Sequence, residues 1–257
     1  MWWLLSPHIK ELRDELGLEP HSAGSYFDVM DRMPTLAALS PSFYPRPRDY
    51  GRNIHMTGYW FLDEEDYTPP AELVDFLEVG DAPIYIGFGS MVNDNPHETA
   101  KLVLNALQET GQRAVLLTGW EGIAAENVLD DVMVVQDVPH HWLFPRMSAI
   151  IHHGGAGTTG AALRAGKPQI VVPHVADQFF WGKQTASTGL GTTPIPRRAL
   201  SKETLHQAIR TVTYDMPMRE RAQTMGERIR GEDGTGEAIQ IIERIVTQTK
   251  QLSERNE

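Results

Sequence analysis

Short apolar runs alternating with helical stretches constrain this chain more than any other feature it has. From Asp81 onward the runs are IYIGFGSM (Ile84–Met91), RAVLLTG (Arg113–Gly119), VMVVQDV (Val132–Val138), AIIHHG (Ala149–Gly154) and QIVVPHV (Gln169–Val175). Between and after them lie helical patterns over His97–Thr110, over Thr158–Ala165 and through DQFFWGKQTAS. Runs this continuously apolar are strands buried on both faces, the situation inside a parallel sheet covered by helices. The expected fold class is therefore α/β, a Rossmann-like parallel sheet flanked by helices. GTTPIP (Gly191–Pro196) reads as a weak last strand. The chain from Ser201 reads as helical, with breaks at Pro217 and in GEDGTG (Gly231–Gly236).

The first eighty residues read differently. Leu4–Leu16 has an amphipathic helical pattern closed by Gly17. Prolines 20, 34, 41, 45 and 47 then crowd a region of loops with two short strand candidates, TLAALS (Thr35–Ser40) and IHMTGYWFL (Ile54–Leu62). DEEDYTPP (Asp63–Pro70) reads as a linker, its acidic residues as solvated surface. With 257 residues the chain can bury a substantial core, as one large domain or two smaller ones. A formal net charge of −11 argues against a general nucleic-acid or anionic-membrane binder, yet leaves room for a local anion site built from backbone N–H groups. The absence of cysteine excludes thiolate catalysis, disulfides and cysteine-type zinc sites. The N-terminal MWWLL lacks the basic flank and length of a signal peptide, and no stretch has the roughly twenty apolar residues of a membrane span. A cytoplasmic location is expected.

Ligands of such sheets meet the loops that follow the carboxyl ends of the strands. In GFGS, Gly87 and Gly89 permit close backbone approach and Ser90 carries a hydroxyl, a pattern equally compatible with a tight turn. In DVPHHWLFP, Trp142 is expected to pack, whereas the backbone at Val138 is a candidate platform for a nucleotide base. His152 and His153 are neighbours on a strand, so their side chains leave on opposite faces and chelate one metal poorly; no metal is expected. GGAGTT then begins a helix. The N–H groups of Ala156, Gly157, Thr158 and Thr159 are expected to face outward and, with the helix dipole, to form an anion site that His153 completes. The pattern is neither GxGxxG nor GxxxxGK[ST]. Asp177 and Gln178 open the next helix, either as a simple N-cap or as paired acceptors for sugar hydroxyls.

Taken in order, GFGSM, DVPHHWLFP, HHGGAGTTGAALRAGKPQIVVPHVADQFFWG and PIPRRALS resemble the nucleotide-sugar-binding domain of inverting UDP-glycosyltransferases of the GT-B fold. The likeness runs from about Thr57 to Val246 and is to the branch with sterol glucosyltransferases and macrolide and glycopeptide tailoring enzymes. It implies that Ser90, His153 and the Gly155, Ala156, Gly157, Thr158 and Thr159 backbone hold a donor diphosphate. It places Val138 at the base, and Asp177 and Gln178 at the transferred sugar. Plant members carry a ribose-binding glutamate where this chain has Ala161, which leaves UDP against dTDP open. The resemblance divides the chain into an acceptor-domain remnant and hinge (1–62), a linker (63–80), a donor domain (81–250) and a tail (251–257).

The resemblance further implies direct displacement at the anomeric carbon, with a UDP- or dTDP-sugar as donor substrate, no cofactor, and a hydroxyl of a lipid, sterol, polyketide or other small molecule as acceptor. The family's catalytic base lies in an N-terminal domain with no counterpart here; neither His8 nor His21 matches its motif. A fragment, a truncated gene product and half of a two-chain enzyme are the corresponding expectations for the chain, and a nucleotide-sugar-binding module without turnover is the alternative. A nucleotide-sugar epimerase is a weaker third. A separate acceptor-domain chain, or self-association through Trp2, Trp3, Leu4 and Leu5, would cover apolar surface left by that domain.

Overall fold

The structure is a computed structural model that describes residues 2–19, 22–88, 96–117 and 129–254. Its contacts separate two compact units. One holds the residues up to Pro41, Pro45–Gly58 and those from Gly234 on; the other holds Ser42–Tyr44 and Tyr59–Asp233.

The first unit begins with α1 (Trp2–Glu15) and α2 (Ala23–Arg32). Gly17 follows α1 with φ +64°, the left-handed conformation that ends a helix and that glycine adopts without a Cβ penalty. The apolar side chains at 2–5, expected to support self-association, lie outside the described ones. α2 occupies part of the proline-dense region read as loops; its sequence, AGSYFDVMDR, contains none of those prolines. Two three-residue strands, β1 (Thr35–Ala37) and β2 (Ile54–Met56), pair in parallel with Thr35 opposite Ile54.

The second unit contains the expected sheet. α3 (Ala71–Glu78) precedes it within the stretch read as a linker, and its Leu73 is fully buried. Then come β3 (Ile84–Gly87), α4 (Pro96–Thr110), β4 (Ala114–Leu117), β5 (Val132–Val135), α5 (His140–Leu143), β6 (Ala149–His152), α6 (Ala156–Arg164), β7 (Gln169–Val171) and α7 (Gln178–Ser187). The order β5-β4-β3-β6-β7 is parallel throughout. The chain winds outward from β3 in one direction, then resumes at β6 in the other, so the topological switch lies between β3 and β6. Gly87 and His152 pair there at the carboxyl ends.

Alternation across the pleat feeds two cores. Ile84, Ile86, Ala114, Leu116 and Ile151 face α4 and α8 (Lys202–Tyr214) through Val103, Leu107, Leu205 and Ile209. Tyr85, Val115 and Ile150 face the other way, toward Leu73, Leu143, Phe144 and Ala162. Each such aliphatic side chain is worth roughly 1.5–3 kcal/mol when fully buried, so the sheet is the rigid frame from which the loops project.

Two expectations are corrected. Gly191–Pro196 forms no strand: Thr192 and Ile195 donate to Gln169 and Val171, but Pro194 and Pro196 have no N–H and only an isolated bridge at Gly191 results. The helical break falls at Asp215, not Pro217. The Asp215 carboxylate accepts from the Met218 N–H at 2.9 Å, and Pro217 sits in the first turn of α9 (Met216–Arg230), where its missing N–H costs nothing. The break expected in GEDGTG is present at Gly231–Asp233, and the last helix, α10 (Gly234–Glu254), follows it and belongs to the first unit. Ile239, Ile242 and Val246 on α10 are exposed.

Candidate functional site

The turn from β6 to α6 separates the two histidines by environment. His152 is completely buried. Its Nδ1 accepts from the Gly154 N–H at 3.1 Å and its Nε2 lies 2.8 Å from Gln169 Oε1, so the neutral tautomer with the proton on Nε2 satisfies both neighbours. Burial pushes its pKa down to about 3. His152 is therefore a structural pin, as a buried strand histidine should be.

His153 takes the other face. Burial also lowers its pKa, and Asp177 opposes that shift. Its Nε2 lies so near Gly155 that a Cβ on residue 155 would come within 2.5 Å of it. The imidazole thus rests against the start of α6, with its buried Nδ1 lacking a hydrogen-bond partner among the described residues. Gly154 makes the turn possible: its φ is +93°, and a Cβ there would meet Val171 Cγ1 at 2.7 Å and the Gln178 carbonyl at 3.0 Å.

No side chain caps α6. The amides of Ala156, Gly157 and Thr158 precede the helix's own ladder and carry its positive dipole end. Thr159 corrects the expectation for it. Its N–H and its hydroxyl both donate to the Gly155 carbonyl, each at 2.9 Å, and the residue is fully buried. The outward set ends at Thr158, because the first i→i−4 bond of the helix takes the fourth N–H.

The turn from β7 to α7 is built on side chains. Gln178 is buried, and its Oε1 accepts from the backbone N–H groups of His174 at 2.7 Å and Val175 at 3.1 Å. Asp177 stands at the N-cap position, yet its Oδ2 accepts from the Trp181 indole N–H at 2.9 Å. Ala176 has φ +51°, a left-handed backbone at a non-glycine residue that this network sustains. Trp181 is held by Phe43, Tyr44 and Phe180, so the turn rests on an aromatic wall.

A cleft of about 730 Å³ opens beside α6. Gly157, Ala161 and Arg164 form its floor, Pro139, His140 and His141 one wall, and the segment Tyr59–Glu64 the other. Gly160 lets Tyr59 press against α6, since a Cβ there would lie 2.8 Å from the ring. Asp63 binds Arg164 through both oxygens, at 2.6 and 2.7 Å, and the Arg164 guanidinium covers Phe61 at 4.6 Å. That bond to Arg164 holds the Asp63 carboxyl below its usual range. Val138 turns its side chain into the core, one residue before the Pro139 that lines the cleft, and Trp142 packs against Tyr67 as expected.

Of the sequence-predicted residues, the structure brings His153 and Gly155–Thr158 together at one helix start; Asp177 and Gln178 flank it at the next strand end. Ser90 lies outside the described residues. The Tyr59–Glu64 wall, with Asp63, was missed, because an aspartate and an arginine 101 residues apart leave no local pattern. Among the described residues no group of three or more histidines and carboxylates is placed to hold a metal, and no helix is long and apolar enough to cross a membrane.

Comparisons with known proteins bear on the family and the fold. The family described as erythromycin biosynthesis protein CIII-like, C-terminal domain, matches residues 101–245. The sterol 3-beta-glucosyltransferase UGT80B1 of Arabidopsis thaliana is 38% identical over 249 residues, 95% of this chain and 40% of that protein. A sterol 3-beta-glucosyltransferase of Emericella nidulans is 39% identical over 259 residues, 95% of this chain and 18% of its own length. The chain thus spans less than half of either relative. Among solved structures, the glycotransferase of kitacinnamycin superimposes with a TM-score of 0.72 at 20% identity, covering 93% of this chain and 61% of that one, a likeness of fold.

Proposed function

Because the chain belongs to the erythromycin biosynthesis protein CIII-like C-terminal domain family, we propose that it is the donor-binding portion of an inverting glycosyltransferase, which binds a nucleotide-diphosphate sugar. The observation that carries this reading is the uncapped start of α6 with His153 resting on it, opening onto a cleft roomy enough for a nucleoside. Three outward N–H groups and a helix dipole suit a diphosphate. The neutral His153 ring adds one N–H donor. The cleft beside α6 takes the nucleoside, with the backbone that follows Val138 at the nucleobase, and the exposed Asp177 serves the transferred hexose, the oxygen of buried Gln178 being spent on its own turn. The relatives' names support glucose as that hexose and a sterol hydroxyl as the acceptor.

In the proposed reaction the acceptor oxygen attacks the anomeric carbon as the bond from that carbon to the diphosphate oxygen breaks. The electron pair leaves with the diphosphate, and the configuration inverts. The α6 amides and His153 stabilise the charge that develops on the leaving group, preorganised donors being worth most in such a site. The acceptor proton passes to a base that we assign to the part of the relatives beyond the span of this chain. A binding module without turnover is the second reading, favoured by that partial span; transfer from UDP-glucose by the purified chain alone would exclude it. The donor site is tested by calorimetry with UDP and UDP-glucose. Both should bind, and Asp177→Ala should weaken UDP-glucose while sparing UDP. Undetectable UDP binding, or an unchanged ratio in the variant, overturns the assignment.

A further inference from the structure

We propose that Trp181 is a positioning residue: its indole N–H fixes the Asp177 carboxylate in one orientation, so that the second oxygen stays free for the transferred hexose. The inference rests on the donor-site reading above, which gives Asp177 that ligand. Asp177 stands just before α7, but its backbone is helical, with φ −68° and ψ −16°. An aspartate that caps its own helix needs an extended backbone instead, and no side-chain cap forms here. The carboxylate is therefore not consumed by the helix it precedes, and the residue that carries it is exposed. Its charge is close enough to His153 to oppose the fall in that ring's pKa.

An exposed aspartate ordinarily samples several rotamers, and ordering it on a ligand costs binding energy. Here the ordering is done in advance. Trp181 lies four residues on, the spacing at which helical side chains meet, and its Nε1–H donates to Asp177 Oδ2 at 2.9 Å. Asp177 Oδ1 has no hydrogen-bond donor among the described residues. The indole itself cannot follow a moving carboxylate. Trp181 is only 7% exposed, stacked on Phe43 at 6.5 Å and edge-on to Tyr44 and Phe180. Gln184 ties this wall to α7, its Nε2 donating to the Phe43 carbonyl at 2.9 Å. Rigidity thus passes from an aromatic wall through one N–H to one oxygen, and the other oxygen remains for a hydroxyl. A phenylalanine would fill the same wall, but among aromatic rings of this bulk the indole supplies the N–H donor.

The test is calorimetry with UDP and UDP-glucose on the chain, on Trp181→Phe, on Asp177→Ala and on the double variant. UDP lacks the hexose, so its affinity reports the rest of the site and the integrity of the fold. Trp181→Phe should bind UDP as the unaltered chain does and UDP-glucose about fivefold more weakly, the cost of ordering one freed side chain. The double variant should bind UDP-glucose no more weakly than Asp177→Ala alone, because the indole acts only through the carboxylate. The indole proton–nitrogen NMR signal that Trp181→Phe removes should shift on adding UDP-glucose and hold still with UDP. A ratio of the two affinities that falls in Asp177→Ala but not in Trp181→Phe overturns this inference and leaves the donor-site reading standing. Equal weakening of both ligands by Trp181→Phe overturns it too, since Trp181 would then be only part of the wall, as do losses that add in the double variant. Should UDP fail to bind, or Asp177→Ala leave the ratio unchanged, the donor-site reading falls and this inference with it.

Discussion

The turns after β6 and β7 join neighbouring parallel strands to helices, yet they handle their polar groups in opposite ways. After β7, the Gln178 oxygen takes two backbone N–H groups and Asp177 takes an indole N–H, so the turn is satisfied from within. After β6, glycines carry the chain into α6 with no capping side chain, and His153 rests against the opening. A turn that consumes its own donors is a support. A turn that leaves them outward stays open to a ligand, and it can afford to do so because the neighbouring turn and the buried His152 hold it in place.

Substitutions in the two turns should separate these roles. The largest effect is expected from Gly154→Ala, which forces a side chain into a left-handed φ of +93° and against Val171 and the Gln178 carbonyl. Strain and overpacking together should remove about 3 kcal/mol of stability, read from the urea midpoint. Gln178→Leu leaves two N–H groups without their acceptor and should cost about 2 kcal/mol by the same measurement. If it proves neutral, the turn after β7 is not the support described.

Acid titration addresses the pin itself. His152 is neutral in both folded and unfolded chains above pH 6.5. Below that the unfolded chain takes up a proton that the folded one, with a pKa near 3, refuses. Stability should therefore fall as the pH drops from 6.5 toward 3, by up to about 1.4 kcal/mol per pH unit from this residue. His152→Gln should flatten that dependence; burial of His140, His153 and His174 adds weaker slopes of the same sign. The smallest effect on stability is expected from His153→Ala, within about 0.5 kcal/mol, although its UDP affinity should fall about tenfold for the loss of one donor to a charged group. A large loss of stability with unchanged affinity would reverse the two histidines' roles.

Much of this was legible residue by residue. Apolar runs such as Ile84–Gly87 and Ala149–His152 could only be buried strands, and the glycines after His153 could only announce a tight entry into a helix. That made the parallel sheet and the helix-start site readable, because both depend on local periodicity and on the special backbone of glycine. The division between His152 and His153 was readable for the same reason, since adjacent strand residues must point apart. The helix α3 was not read, because the acidic, proline-bearing flank before it dominated the local pattern.

What the sequence determined by itself was the order of strands and helices and the uncapped glycine-rich entry into α6, since those follow from interactions between residues a few positions apart. Only the tertiary structure decided that the fourth amide, at Thr159, is used within the helix, that Gln178 ties its own turn, and that the Tyr59–Glu64 segment walls the cleft. The Asp63–Arg164 pair shows the reason most plainly. Its partners are 101 positions apart, and nothing short of folding brings a carboxylate from one segment to the helix face of another.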